Sequence, residues 1–242
     1  MRPLRSLVAA VFFVLYGLGS LVIGGLLFPP LALLGRRRAM RALVRASWRL
    51  FMWGARATGL LRVAVSPEDR RRLASARGVV VVANHVSLID IVVLMSILPD
   101  ATAVAKAAAR ANFFYSLIVR GVFLVNDDPV GVLGDAKALL AGGTSLVVFP
   151  EGTRMPAGAT ARKLRRGAAQ IALHAGVPLL PVFFEVDPPV LAKGQPWWDA
   201  GARRICWTLR VREAIPAPVA GTGGTHAAAV SLTEVIYGRL WP

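Results

Sequence analysis

Between Ser6 and Gly35 the chain carries no charged side chain. Leu7–Phe28 alone is 22 residues, about 33 Å as a helix at roughly 1.5 Å per residue, which matches the hydrocarbon core of a bilayer. A soluble domain seldom holds a wholly apolar helix of this length. A cleaved signal peptide has a shorter apolar region, and no small-x-small cleavage site precedes Arg36. The segment therefore reads as a membrane anchor. Pro29-Pro30 are expected to stop the helix, while Leu31–Leu34 continue the apolar character. A spanning helix and a re-entrant hairpin in one leaflet both fit that pattern.

The charge distribution supports the same partner. The chain has 29 Lys+Arg against 13 Asp+Glu, a net +16, and only four of the basic residues are lysine. Residues 1–77 hold 14 arginines and two acids, whereas the rest holds 15 basic and 11 acidic side chains. The excess thus lies beside the apolar stretch. No recognition helix, zinc finger or RNA-binding signature accompanies it, so anionic headgroups are the expected partner and nucleic acid is not. If the anchor spans, Arg36, Arg37, Arg38, Arg41, Arg45, Arg49 and Arg56 outweigh Arg2 and Arg5 and place the remainder in the cytoplasm. Residues 40–61 mix these arginines with Trp48, Phe51 and Trp53, the makeup of an interfacial helix with arginines on phosphates. The chain divides on this reading into an anchor with its basic helix at 1–62 and a globular domain at 63–242. A composition of 55% hydrophobic and 17% charged residues excludes disorder. One cysteine excludes a disulfide framework and a cysteine-based zinc cage.

The body alternates strand and helix. Gly78–Ala83 is a β-branched run suited to a strand buried on both faces. A helix is expected over Asp90–Leu98, a strand at Thr102–Lys106, a helix from about Arg110 to Arg120, and a strand at Val122–Val125. Val130–Ala141 follows as a helix, Ser145–Phe149 as a strand, Lys163–Ala175 as a helix and Val177–Val186 as a strand. Ile205–Val211 is a late strand and His226–Leu240 a terminal helix. This rhythm predicts an α/β sheet flanked by helices, with ligands beyond the strand ends.

Two loops of that kind hold unusual residues. Asn84-His85-Val86-Ser87-Leu88-Ile89-Asp90 follows the GVVVVA strand directly. A tight turn brings the Asp90 carboxylate back to the His85 imidazole, fixing its tautomer and leaving the other ring nitrogen as a base suited to neutral pH. No G-x-S-x-G elbow exists and Cys206 lies on an expected buried strand, so the substrate must supply the hydroxyl. Taken alone, the spacing equally describes a structural histidine beside a helix-capping aspartate. The second loop is Phe149-Pro150-Glu151-Gly152-Thr153-Arg154. Its Pro and Gly shape a turn, Arg154 offers a fork for phosphate or carboxylate, and Glu151 is placed to hold a basic group.

Together NHVSLID at 84–90 and FPEGTR at 149–154 closely resemble the glycerophospholipid acyltransferases, the family of 1-acylglycerol-3-phosphate acyltransferases. The resemblance runs on through Val177-Pro178-Leu179-Leu180-Pro181-Val182 and covers roughly residues 60–215. It implies a glycerol-3-phosphate acyltransferase-like α/β fold and acyl transfer from acyl-CoA or acyl carrier protein to the hydroxyl of a lysophospholipid. His85 would be the general base and Asp90 its orienting partner. Asn84, Ser87, Lys106, Glu151, Gly152, Thr153 and Arg154 would bind substrate. No metal or organic cofactor is implied beyond the thioester co-substrate. The setting implied is a bacterial-type inner membrane with the catalytic domain facing the cytoplasm. Backbone N–H groups near the first loop are expected to stabilise the oxyanion.

One departure bears on the acceptor. Where the family usually has an arginine after the Val122–Val125 strand, this chain has Asn126-Asp127-Asp128, whose acids would repel a phosphate. Arg162, Lys163, Arg165 and Arg166 form a cluster that would compensate, or simply a solvated basic face. The Asn126–Pro129 run and Lys193-Gly194-Gln195-Pro196-Trp197-Trp198-Asp199 look like a branch of the family associated with bacterial aryl polyene pigments. Three readings stay open: a lysophosphatidic acid acyltransferase, the same chemistry on another acceptor or an aryl polyene donor, and a non-catalytic lipid-binding protein.

Overall fold

The computed structural model describes residues 2–108, 116–126, 128–159, 163–217 and 226–241. Three helical segments come first: α1 (Arg2–Val22), α2 (Phe28–Leu33) and α3 (Arg37–Ala57). Between α1 and α2 the chain does not break at Pro29-Pro30. Ile23–Leu27 form a π-helical turn, the Phe28 N–H bonds to the Ile23 carbonyl, and the prolines open α2. A proline ring clashes with the carbonyl four residues earlier in a regular helix. The wider π turn, through Gly24 and Gly25, removes that clash.

The body follows as β1 (Leu61–Val65), α4 (Pro67–Ser75), β2 (Val80–Ala83), α5 (Asp90–Ile97) and β3 (Ala101–Lys106). Then come α6 (Ser116–Val122), β4 (Leu124–Asn126), α7 (Pro129–Ala141), β5 (Ser145–Val148) and α8 (Gly167–Ala175). The chain closes with β6 (Leu179–Asp187), β7 (Ile205–Val211) and α9 (His226–Leu240). Local signals start several helices: Ser66 accepts the Asp69 N–H ahead of α4, and Asp128 accepts the Val130 N–H ahead of α7, the usual service of a capping oxygen. Gly176 closes α8 in the left-handed conformation.

The expected strand at Val122–Val125 begins two residues later, because Val122 completes α6. Likewise Lys163–Arg166 precede α8 rather than form its first turn. Part of the helix expected from Arg110 lies outside the described residues. β1 and α4 have no counterpart among the expected elements.

The seven strands order as β1-β7-β6-β2-β5-β3-β4, parallel throughout except for β6 against β7. No helix intervenes between residues 187 and 205, so β7 turns back on β6 instead of crossing over. β2 alternates with period two: Val81 and Ala83 face one hydrophobic layer, Val80 and Val82 the other. The first layer contains α1–α6 and the second α7–α9, a three-layer sandwich. The anchor helices share the first layer with the sheet, and a division after residue 62 would cut β1.

Because β2 and β5 are parallel neighbours, both unusual loops leave the sheet at the same carboxyl-terminal end of its strands. That pairing positions everything below.

Candidate active site

β2 ends at Ala83, and the chain turns so that α5 starts at Asp90, which is fully buried. Asp90 Oδ2 lies 3.1 Å from His85 Nδ1 and accepts the N–H groups of Val86 (2.8 Å) and Ser87 (2.7 Å). A neutral imidazole so placed donates from Nδ1 to that carboxylate. The His85 ring stacks on Phe149, centroids 4.1 Å apart and planes at 20°, which fixes its orientation. The two residues predicted to form a dyad are thus brought together.

The second loop grips the backbone of the first at two points. The His85 N–H donates to Glu151 Oε1 at 3.0 Å, and the Met155 N–H donates to the His85 carbonyl at 2.9 Å. Glu151 is buried, and its Oε2 has no partner among the described residues. Burial pushes its carboxyl above the ordinary value of 4.5, only partly opposed by hydrogen bonds from the His85 and Glu151 backbone. Gly152 has φ +68°, and a Cβ there would strike the Arg165 guanidinium. Only glycine lets Arg165 fold across this loop. Arg154 Nη1 donates to the Leu191 carbonyl (2.9 Å), which also accepts the Leu88 N–H (3.0 Å). Leu191 itself holds φ +56°, a costly conformation for a branched side chain, over-determined here by those two bonds.

Some expectations change. Asn84 is buried with both ends of its amide engaged, Nδ2 to the Phe184 carbonyl (2.8 Å) and Oδ1 from the Phe184 N–H (2.6 Å). It clamps the loop to β6 and does not line the cleft described below. Ser87 is likewise fully buried, and does not line the cleft described below. The N–H groups of residues 85–88 all have acceptors within the protein. Asp128, expected to repel phosphate, spends its carboxylate capping α7; Asp127 lies outside the described residues. Cys206 is only half-buried, with Arg62 Nη2 at 3.7 Å.

His85 opens into a cleft of about 1930 Å³. Apolar side chains of α1 and α3 make some of its walls, among them Phe13, Tyr16, Leu18 and Phe51. Lys106, Glu151, Gly152, Thr153 and Arg154 line it too, as do Lys163, Arg165 and Arg166. Arg162 of the predicted basic cluster lies outside the described residues. Trp197 also reaches the cleft and packs edge-on against Phe13 of α1, centroids 5.8 Å apart. His226 starts α9, its Nε2 3.2 Å from Arg166 Nη1, while His174 is exposed near the end of α8.

Sequence reasoning missed Trp207. This fully buried residue of β7 donates from Nε1 to Asp90 Oδ1 at 3.1 Å. The available signal was a lone tryptophan in a buried strand, whose N–H must find an acceptor.

The structure thus sets a paired histidine and carboxylate beyond a strand end, beside a cationic turn and an apolar groove. A family model described as Acyltransferase matches residues 62–185, half of the chain, and the chain belongs to that family. It is 30% identical over 172 residues to 1-acyl-sn-glycerol-3-phosphate acyltransferase beta of Homo sapiens, covering 67% of this chain and 58% of that protein. It is 30% identical over 156 residues to the alpha enzyme of Mus musculus, covering 60% and 51%. The matches span little more than half the length of these relatives. Among solved structures, the 1-acyl-sn-glycerophosphate (LPA) acyltransferase of Thermotoga maritima superposes with a TM-score of 0.63 at 23% identity. That match covers 99% of this chain and 97% of the other and shows a shared fold.

Proposed function

We propose that this chain is a membrane-associated O-acyltransferase. It moves a fatty acyl group from an acyl-CoA or acyl carrier protein thioester to the hydroxyl of a lysophospholipid, most simply 1-acylglycerol-3-phosphate, giving phosphatidic acid. The observation that carries this reading is the His85–Asp90 pair opening into a cleft with apolar walls from α1 and α3 and cationic walls from the second loop and the start of α8. An acyl chain and a phosphate need opposite surroundings, and this cleft offers both. The names of the matched relatives agree with that substrate class.

In this mechanism His85 Nε2 takes the acceptor's hydroxyl proton as its oxygen attacks the thioester carbonyl. The tetrahedral intermediate collapses with cleavage of the C–S bond, and the thiolate leaves with the proton returned from Nε2. Asp90 stabilises the imidazolium between those transfers. With the N–H groups of residues 85–88 committed, the oxyanion falls to donors of the second loop, where Thr153 and Arg154 line the cleft. Arg154, half used by Leu191, shares the acceptor's phosphate with Lys106, Lys163, Arg165 and Arg166. These cations compensate for the arginine that the family has where this chain has Asn126-Asp127-Asp128.

The anchor lies in one leaflet. Arg2 pairs with Asp199 at 2.7 Å, and Arg5 Nη2 donates to the Leu60 and Arg203 carbonyls. Beyond α2, Arg37 and Arg38 donate to the Gly121 and Gly142 carbonyls. Both ends of the helix thus hold the same body, while Leu7, Val11, Leu15, Leu18, Leu26 and Leu33 are exposed along it.

The test is transfer from a labelled acyl donor, supplied as CoA and carrier-protein thioesters, to lysophosphatidic acid and to a phosphate-free monoacylglycerol. Wild type is expected to make phosphatidic acid, and His85→Ala to lose about 10²–10⁴-fold in rate while staying folded. Unchanged turnover in that variant would refute the base assignment. Transfer only to the phosphate-free acceptor would move the reading to another acceptor, in line with the aryl polyene branch.

A further inference from the structure

We infer that Trp207 is a positioning residue of the acyl-transfer site, its indole N–H fixing the Asp90 carboxylate against His85. The inference rests on the dyad proposed above. Asp90 Oδ2 already receives His85 Nδ1 and the Val86 and Ser87 N–H groups. Oδ1 receives Trp207 Nε1 at 3.1 Å, its sole donor among the described residues. Asp90 and Trp207 are both fully buried, so water cannot replace that donor.

The chemistry of an indole suits this task. Its N–H donates and never accepts, whereas an ionised carboxylate only accepts. The contact therefore matches a donor to an acceptor on the carboxylate that faces His85. It also acts at the far end of the group. The loop donors hold Oδ2 alone, and rotation about the Cβ–Cγ bond would carry both oxygens off their donors together. A donor on Oδ1 adds to the resistance against that rotation and so helps to keep Oδ2 on Nδ1. A near-attack geometry depends on such fixing, and small misplacement is expensive in rate.

The donor comes from 117 residues along the chain. β7 lies antiparallel to β6, whose Phe184 backbone clamps Asn84. The same pair of strands thus holds the start of the first loop through Asn84 and its end through Asp90. Trp207 is not part of either motif.

Trp207→Phe keeps a flat apolar ring and removes the donor. Incorporating 3-benzothienylalanine at position 207 keeps the bicyclic shape and replaces only the N–H by sulfur. Both variants are expected to lose about tenfold or more in kcat, with KM for both substrates within about twofold of wild type. In wild-type protein the Trp207 indole proton resonance should shift when Asp90→Asn is introduced. Full kcat in the benzothienyl protein would overturn the inference even if Trp207→Phe is inactive or misfolded, because shape alone would then suffice. An indole resonance indifferent to Asp90→Asn would overturn it equally. His85→Ala measured alongside separates the two levels: activity there sinks the dyad itself, whereas its loss with active Trp207 variants sinks only the role of Trp207.

Discussion

Glu151 is the side chain on which the two loops meet, and it sits there at a cost. Its Oε1 holds the His85 N–H while Oε2 is buried without a partner among the described residues. Burial raises its carboxyl above 4.5, so the folded chain binds this proton more tightly than the unfolded chain. Stability therefore falls as pH rises from about 4.5 through the raised native value, and the full penalty stands above it. Glu151→Gln keeps an oxygen for the His85 N–H and removes the charge. It is expected to gain about 1 kcal/mol at pH 8 and nothing at pH 4, measured by urea unfolding in detergent. A loss at pH 8 would mean the charge itself holds the loops together. At this scale the dyad was legible, since His85 and Asp90 sit five residues apart on one turn. The role of Asn84 was not, because its partner Phe184 is 100 residues away.

α3 shows how an element can carry two assignments. Its composition reads as an interfacial helix with every arginine on a phosphate. In the fold, Arg41 is buried and pairs with Asp100 at 2.6 Å, with Thr144 Oγ1 completing the fork at 3.1 Å. Trp48 is buried on the same side, while Trp53 is 68% exposed on the other. Burial raises the Asp100 carboxyl, but the hydrogen bond and charge of Arg41, with Thr144 and Arg38, outweigh it and hold the group below its ordinary 3.8. A depressed carboxyl contributes stability that is present above about 3.8 and lost as pH falls through the native value. Asp100→Asn strands the Arg41 charge and is expected to cost about 3 kcal/mol at neutral pH, with less difference from wild type in acid. Equal stability of the two proteins at pH 7 would show the pair contributes nothing. The other elements missed or misplaced were short ones. β1 is five residues at the sheet's edge, and α4 buries Leu73 alone. Neither has enough periodicity to stand out.

On the scale of the whole molecule, the anchor and the site are one structure. Phe13 packs on Trp197, Arg2 holds Asp199, and the segment between β6 and β7 also carries the Leu191 carbonyl that joins the two loops. A helix of 32 residues is about 48 Å long, enough to cross a bilayer, yet both its ends grip the body. Single cysteines at Ser6 and Leu34, in a Cys206→Ala background, are therefore expected to react with an impermeant thiol reagent from the same side of sealed vesicles. Labelling from opposite sides would establish a spanning helix and contradict the contacts of Arg2 and Arg37.

The apolar stretch, the basic flank, the strand–helix rhythm and the His85–Asp90 spacing were determined by the sequence itself. Each depends on residues close along the chain, where hydrophobic periodicity and turn chemistry act directly. Tertiary structure alone decided that β2 and β5 are neighbours, that Glu151 and Met155 hold the His85 backbone, that Trp207 completes the carboxylate, and that Arg41 turns inward. Those outcomes depend on strand order and on donors brought from distant segments, and burial made each of them matter.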